Sequence, residues 1–125
     1  MPALTDTIKA AWEGREGPAV FTTVDRTGIP NSIYVTCVRF YGDDRIAIAD
    51  NYFNKTRENI LSGSRGSFLF ITRERKSFQI KGPIEYQETG EIREFLKSCL
   101  DPKYPVHAAA VLRVEETYSG AERIL

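Results

Sequence analysis

The chain has 125 residues and a mass of 14.2 kDa, enough for one domain with a real core and too little for a catalytic domain plus a separate regulatory one. Its 17 lysines and arginines match 17 aspartates and glutamates, so bulk charge gives no attraction to nucleic acid or to an anionic membrane. The hydrophobic share of 42% is that of an ordinary globular domain; no segment stays apolar long enough to span a bilayer, and the opening MPALTDTIKAAW lacks the layout of a leader, so a cytoplasmic location is expected.

With no repeat, low-complexity segment or linker, residues 1–125 read as a single domain. Leu4, Ile8, Ala11 and Trp12 share one helical face, and Gly14, Gly17 and Pro18 stop that helix. Ala19 to Val24 is a short β-rich run, Asp25-Arg-Thr-Gly28 is turn chemistry, and Asn31 to Tyr41 is a long β-branched and aromatic run. Gly42-Asp-Asp44 turns the chain into Arg45 to Asp50, and these three runs predict an antiparallel meander. A two-turn helix over Asn54 to Leu61 follows, then a strand over Ser67 to Thr72. The charged run Arg73-Glu-Arg-Lys76 reads as a solvated hairpin end.

Phe78, Ile80, Gly82, Ile84 and Tyr86 alternate with Gln79, Lys81, Pro83 and Glu85, the period of a half-buried strand. Thr89 is placed to cap a helix with an apolar stripe of Ile92, Phe95, Leu96 and Cys99, ended by Pro102 and Pro105. Val106 to Thr117 supplies a last strand, where Ala108 to Ala110 are small enough for another element to approach closely. Cys37 and Cys99 have no metal-ligand spacing and are expected to be reduced core thiols. About six strands and a few short helices point to an α+β, mainly antiparallel fold closed or nearly closed into a barrel. A barrel of this size is filled by its own side chains, so a sizeable ligand must sit outside it, in a crevice or at a subunit interface.

The stretch Ile48-Ala-Asp-Asn-Tyr-Phe-Asn-Lys-Thr56 passes from strand to helix start, where backbone N–H groups lack helical partners. Asn54, Lys55 and Thr56 there offer a cap, a positive charge and a hydroxyl, the chemistry that receives a phosphate group. The plain alternative is a capped helix with a surface lysine, Tyr52 and Phe53 forming its hydrophobic staple.

The order of elements, the Pro30-Asn-Ser-Ile-Tyr-Val-Thr36 strand, the Arg45-Ile-Ala-Ile-Ala-Asp-Asn51 strand and the Asn54-Lys-Thr56 helix start resemble the FMN-binding split barrels related to pyridoxamine 5′-phosphate oxidase, and most closely the small bacterial FMN-binding proteins. The resemblance covers nearly the whole chain and implies a six-stranded split β-barrel of Greek-key type with short flanking helices. In that family a Ser-Arg-Lys or His-Lys-Thr triplet opens the helix over the FMN phosphate. Here Lys55 and Thr56 match the second form, with Asn54 in place of His. By the same resemblance Ala49, Asp50 and Asn51 would line the flavin edge with backbone groups, and Ser32, Ile33, Tyr34 and Val35 would touch ring and ribityl chain. Ser77 would offer a polar group to phosphate or ring. The family's habit is a homodimer with FMN at the interface. On separate grounds, the apolar end Arg123-Ile-Leu125 needs a surface to cover, and in such a dimer Ile124 or Leu125 would lie against the partner subunit's flavin ring.

The chain ends at Gly120-Ala-Glu-Arg-Ile-Leu125, without the extension that carries the tryptophan and basic residues of the oxidase itself, so the vitamin oxidase activity is not expected. The one histidine, His107, stands at a strand start, where a structural role is expected. There is no His/Cys cluster for a metal. Three readings follow: an FMN carrier exchanging electrons with a redox-partner protein, an FMN-dependent reductase using a nicotinamide cofactor, and a non-catalytic barrel holding haem, another flavin or an oligonucleotide. The first is preferred, because the chain is small and shows no evident acid–base group; the charge pattern disfavours nucleic acid.

Overall fold

A computed structural model describes residues 3–125. The chain runs α1 (Asp6–Glu13), β1 (Ala19–Val24), β2 (Pro30–Val35), β3 (Val38–Tyr41), β4 (Arg45–Asp50), α2 (Lys55–Leu61), β5 (Arg65–Ile71), β6 (Ser77–Gln87), α3 (Glu91–Cys99), β7 (Ala108–Arg113), β8 (Glu116–Ser119) and β9 (Glu122–Arg123). All strand pairs are antiparallel, and the order β2-β1-β5-β6-β7-β4-β3, with β8 and β9 added beside β6, curls into a half-barrel. The expected fold class is therefore correct.

The strand count rises from the expected six to nine because two long β-rich runs break and the short β9 adds one more. Asn31 to Tyr41 splits at Thr36–Cys37, where Val38 N donates to the Thr36 carbonyl at 3.0 Å. Its first half pairs with β1 and its second with β4, at opposite ends of the sheet path. Such a change of partner leaves no mark in hydrophobic period. Val106 to Thr117 likewise breaks: three residues, Arg113 to Glu115, stand opposite only Gly82 and Pro83, a bulge between β7 and β8.

That bulge explains Gly82, and core side chains explain its neighbour Gly66. Gly66 and Gly82 are register partners on β5 and β6. A Cβ at Gly82 would lie 1.7 Å from the Arg113 carbonyl oxygen, and one at Gly66 would lie 2.7 Å from Ile84 Cδ1. Close approach, of backbone at Gly82 and of the Ile84 and Phe21 side chains at Gly66, rather than turn geometry, requires glycine here.

The barrel interior is full. Phe21, Ile46, Ile48, Phe68, Ile80 and Leu112 are fully enclosed, and α1 plugs one end with Leu4, Ile8 and Trp12. Trp12 stacks on Phe40 at 5.2 Å and meets Phe70 edge-on at 5.2 Å. Thr5 caps α1, its hydroxyl accepting from Ile8 N at 3.3 Å. A second apolar cluster lies outside the barrel, where Ile92 and Leu96 of α3 pack on Ala47, Ala49, Ala109 and Val111. The alanine run of β7 thus admits α3 on one face while Ala110 faces the core, as its small size predicts.

Two expectations need correction. Thr89 does not cap α3; the N-cap position is Gly90, with φ 110° and no side-chain bond. Cys99 is exposed, whereas Cys37 is buried as expected, because the α3 stripe turns only Ile92 and Leu96 fully inward.

Gly82→Ala should lower stability by roughly 3 kcal/mol or more, or prevent folding, because backbone rather than a flexible side chain occupies the space. Urea denaturation checks this against Gly14→Ala, where the added methyl meets nothing closer than 3.6 Å.

Candidate functional site

Strand alternation on β4 sorts its residues between two environments. Ile46, Ile48 and Asp50 point one way into the barrel, and Ala47 and Ala49 point the other way. The inward series ends on a carboxylate with no exposure at all. Such a burial is tolerable only if the charge is met, and it is. Arg57 grips Asp50 with two bonds, Nε to Oδ2 at 2.7 Å and a terminal nitrogen to Oδ1 at 2.9 Å. Tyr86 donates its hydroxyl to Oδ2 at 2.5 Å and Phe53 N donates to Oδ1 at 3.0 Å. Burial by itself raises the Asp50 carboxyl; the hydrogen bonds from Arg57, Tyr86 and Phe53 outweigh it and hold the group below its ordinary value. Burial, then the bond to Asp50, pushes the Tyr86 phenol up to about 12.

This carboxylate ties β4 to the loop and helix that follow. Asn59 of α2 adds a buried bond from Nδ2 to Thr23 Oγ1 of β1 at 3.0 Å. The crossover is thereby set over the outer surface, and a groove of ≈ 560 Å³ forms between β2, the end of β4, the start of α2 and Tyr104. That volume suits a cofactor-sized ligand.

Of the residues expected at a site, Ser32, Ile33, Tyr34, Val35, Ala49, Asn51, Asn54, Lys55 and Thr56 line this groove together. Ser32 and Tyr34 are exposed, and the Ser32 hydroxyl shares a 2.7 Å hydrogen bond with that of Thr22. Asn54 occupies the N-cap position of α2 without a capping bond, so its side chain is left for the groove. Thr56 is almost wholly buried and its Oγ1 accepts from Asn31 Nδ2 at 3.1 Å. Lys55 is exposed and, among the described residues, has no carboxylate partner.

Three expected residues lie elsewhere. The Asp50 side chain belongs to the interior by strand parity and is not part of the groove wall. Ser77 opens β6 opposite Ile71, its carbonyl accepting from Gly120 N at 3.1 Å. Leu125 is held to its own barrel by exchanging backbone bonds with Thr117, at 3.2 and 3.3 Å, and is not in the same chain's groove.

Sequence reasoning missed Asn31, Thr36, Cys37 and Tyr104 as groove residues, and it placed Tyr52 and Phe53 only as a staple. Phe53 does turn inward, 6.3 Å from the Phe21 ring, but Tyr52 is 78% exposed. Tyr104 had no local signal, since the α3-to-β7 connection delivers it. That connection carries a β-branched residue at positive φ, Val106 at 43°, a conformation costing about 1–3 kcal/mol. Two bonds hold it: Val106 N donates to Asn51 Oδ1 at 3.0 Å and His107 N donates to the Asp50 carbonyl at 2.9 Å. Among the described residues no group of His, Cys, Asp and Glu could hold a metal ion, and no helix is long and apolar enough to cross a membrane.

The family model described as pyridoxamine 5′-phosphate oxidase matches residues 4–119. The chain belongs to that family. It is 29% identical over 110 residues to an uncharacterized protein of Methanocaldococcus jannaschii, covering 83% of this chain and 74% of the other. HupZ of Group A Streptococcus overlays with a TM-score of 0.80 at 26% identity, over 92% of each chain. An FMN-binding protein of Syntrophomonas wolfei overlays at 0.72 and 19% identity, covering 93% of this chain and 84% of that one. Similar folds also include an F420 reductase and the haem storage protein HutZ of Vibrio cholerae, so this architecture carries more than one ligand chemistry.

The Asp50 arrangement has a pH signature. A carboxyl held low in the folded state contributes fully above its unfolded value of about 4 and loses that contribution as pH falls through the folded value. Asp50→Asn should therefore lower stability near neutral pH by roughly 2–3 kcal/mol, the lower side of the range for a broken buried pair because Arg57 is partly solvated. It should also flatten the fall in urea midpoint below about pH 5. A variant matching the parent at pH 7 would remove Asp50 from this role.

Proposed function

We propose that this chain is an FMN-binding flavoprotein that passes electrons, acting as a homodimer with the flavin at the subunit interface. The observation that carries the reading is Lys55: an ammonium with no carboxylate partner among the described residues, lining a cofactor-sized groove next to Asn54 and Thr56, in a chain of this family. Because α2 is only seven residues long, its dipole is weak and the lysine charge must supply most of the attraction for a phosphate.

The residues present fit FMN. Lys55, Asn54 and the Thr56 hydroxyl would hold the phosphate, while Ser32 to Val35, Ala49 and Asn51 would flank the ribityl chain and ring. The barrel interior is packed, so the ring has to lie on the outer surface. There Tyr34 and Tyr52, 76% and 78% exposed, leave aromatic surface that a second subunit would cover. Bound FMN supplies one- and two-electron redox chemistry. No carboxylate or imidazole lines the groove among the described residues, which favours electron transfer over a reaction that needs a carboxylate or imidazole as general acid or base.

The protein should purify yellow, with one FMN per chain, and as a dimer by light scattering. A haem spectrum, or released FAD, would overturn the FMN assignment. Lys55→Ala should weaken FMN roughly tenfold or more while leaving riboflavin nearly unchanged, because riboflavin lacks the phosphate. Equal losses for both, read by flavin fluorescence titration, would move Lys55 away from that group.

A further inference from the structure

Asn51 is a polar side chain nine-tenths buried, yet it stands on the groove wall. Its amide orientation follows from chemistry. The Val106 backbone N–H is a donor, so the atom it meets at 3.0 Å is the carbonyl oxygen Oδ1, and the NH2 group is turned the other way. Among the described residues that NH2 has no acceptor. It is not sealed inside the protein either, because Thr117 Oγ1 is the one enclosed side-chain polar atom there without a partner. The free Nδ2 therefore opens on the groove that Asn51 lines.

Its surroundings say what kind of acceptor suits it. Cys37 and Ala49 form the adjacent wall, in an apolar cluster with Val106 against which Tyr104 packs. A single neutral donor in an apolar, aromatic setting matches a ring carbonyl or ring nitrogen, not a phosphate dianion. The charged residue lining the groove among the described residues is Lys55. We propose that Asn51 has two functions: its oxygen latches the strained Val106 backbone, and its NH2 donates a hydrogen bond to the carbonyl-bearing edge of a flat heteroaromatic ring, the pyrimidine edge of the flavin. This rests on the flavin reading above and makes Asn51 a specificity residue for the ring, as Lys55 is for the phosphate. The latch gives the donor its direction, since a carboxamide held at one end cannot turn to offer its oxygen instead.

Asn51→Asp separates the two functions. The carboxylate still accepts from Val106 N but presents oxygen, not N–H, to the groove. Affinity for FMN and for riboflavin, measured by quenching of flavin fluorescence, should fall together by about tenfold or more, with their ratio kept. Lys55→Ala should instead change the ratio. Urea denaturation of the flavin-free protein reports whether the latch survives. If the aspartate variant does not fold, Asn51→Ala combined with Val106→Gly removes donor and backbone strain together and should show the same parallel loss. Binding of both ligands within about twofold of the parent, in whichever variant folds, would overturn the assignment and leave Asn51 a structural residue. A loss confined to FMN would overturn it too, by placing Asn51 at the phosphate. A parent protein that binds neither flavin would overturn the flavin reading itself, and this assignment with it.

Discussion

A buried carboxylate holds this molecule's outer architecture in place. Asp50 closes the inward face of β4 and accepts from Arg57 and Tyr86 side chains and from the Phe53 backbone. Each partner lies on a different part of the fold: the crossover loop, α2 and the far end of β6. The adjoining crossover loop and helix, and a strand 36 residues further along the chain, therefore converge on one pair of oxygens. Desolvating a charge this completely is unfavourable unless every lone pair is used, so the partners cannot drift independently. The position of Lys55, two residues before Arg57, follows from the same grip.

The groove exists because the barrel has no room. Phenylalanines and isoleucines fill the inside, α1 stops one end, and α3 covers the outer face of β4 and β7. What remains is the corner where β2 leaves the sheet and the β4-to-α2 crossover turns away. Edge strand β2 contributes one wall, with its residues alternating between half-buried and exposed. The groove lining is part polar and part aromatic, and among the described residues it holds no carboxylate.

Much of this was legible in the residues. β1 and β4 coincide with their expected bounds, and the period-2 run from Phe78 to Tyr86 lies within β6. Each reports its burial by alternation or by flanking turn residues. The break at Thr36–Cys37 was not legible, since it follows from pairing with a different strand, and neither was the bulge at Arg113 to Glu115, where β6 stays the partner on both sides; both are tertiary facts that propensity does not encode. At the site, helix-start chemistry singled out Asn54 to Thr56 and the family resemblance singled out Ser32 to Val35, and these residues line one groove. Asp50 could have been set apart by parity alone, since it continues the Ile46, Ile48 series. Tyr104 could not, because its arrival depends on how α3 returns the chain to β7.

The Ile46-Ala-Ile-Ala49 alternation works as a key with a single insertion depth. One side of β4 meets a core that receives isoleucines, and the other meets α3 so closely that only methyl groups fit. Sliding the strand by one residue would drive two isoleucines into the helix and leave cavities inside the barrel. It would also turn the Asp50 carboxylate outward, toward the same groove as Lys55, replacing an electropositive corner with a neutral pair. Four alternating small and large side chains thus protect the charge pattern of the groove, by making the mispaired strand too poorly packed to persist.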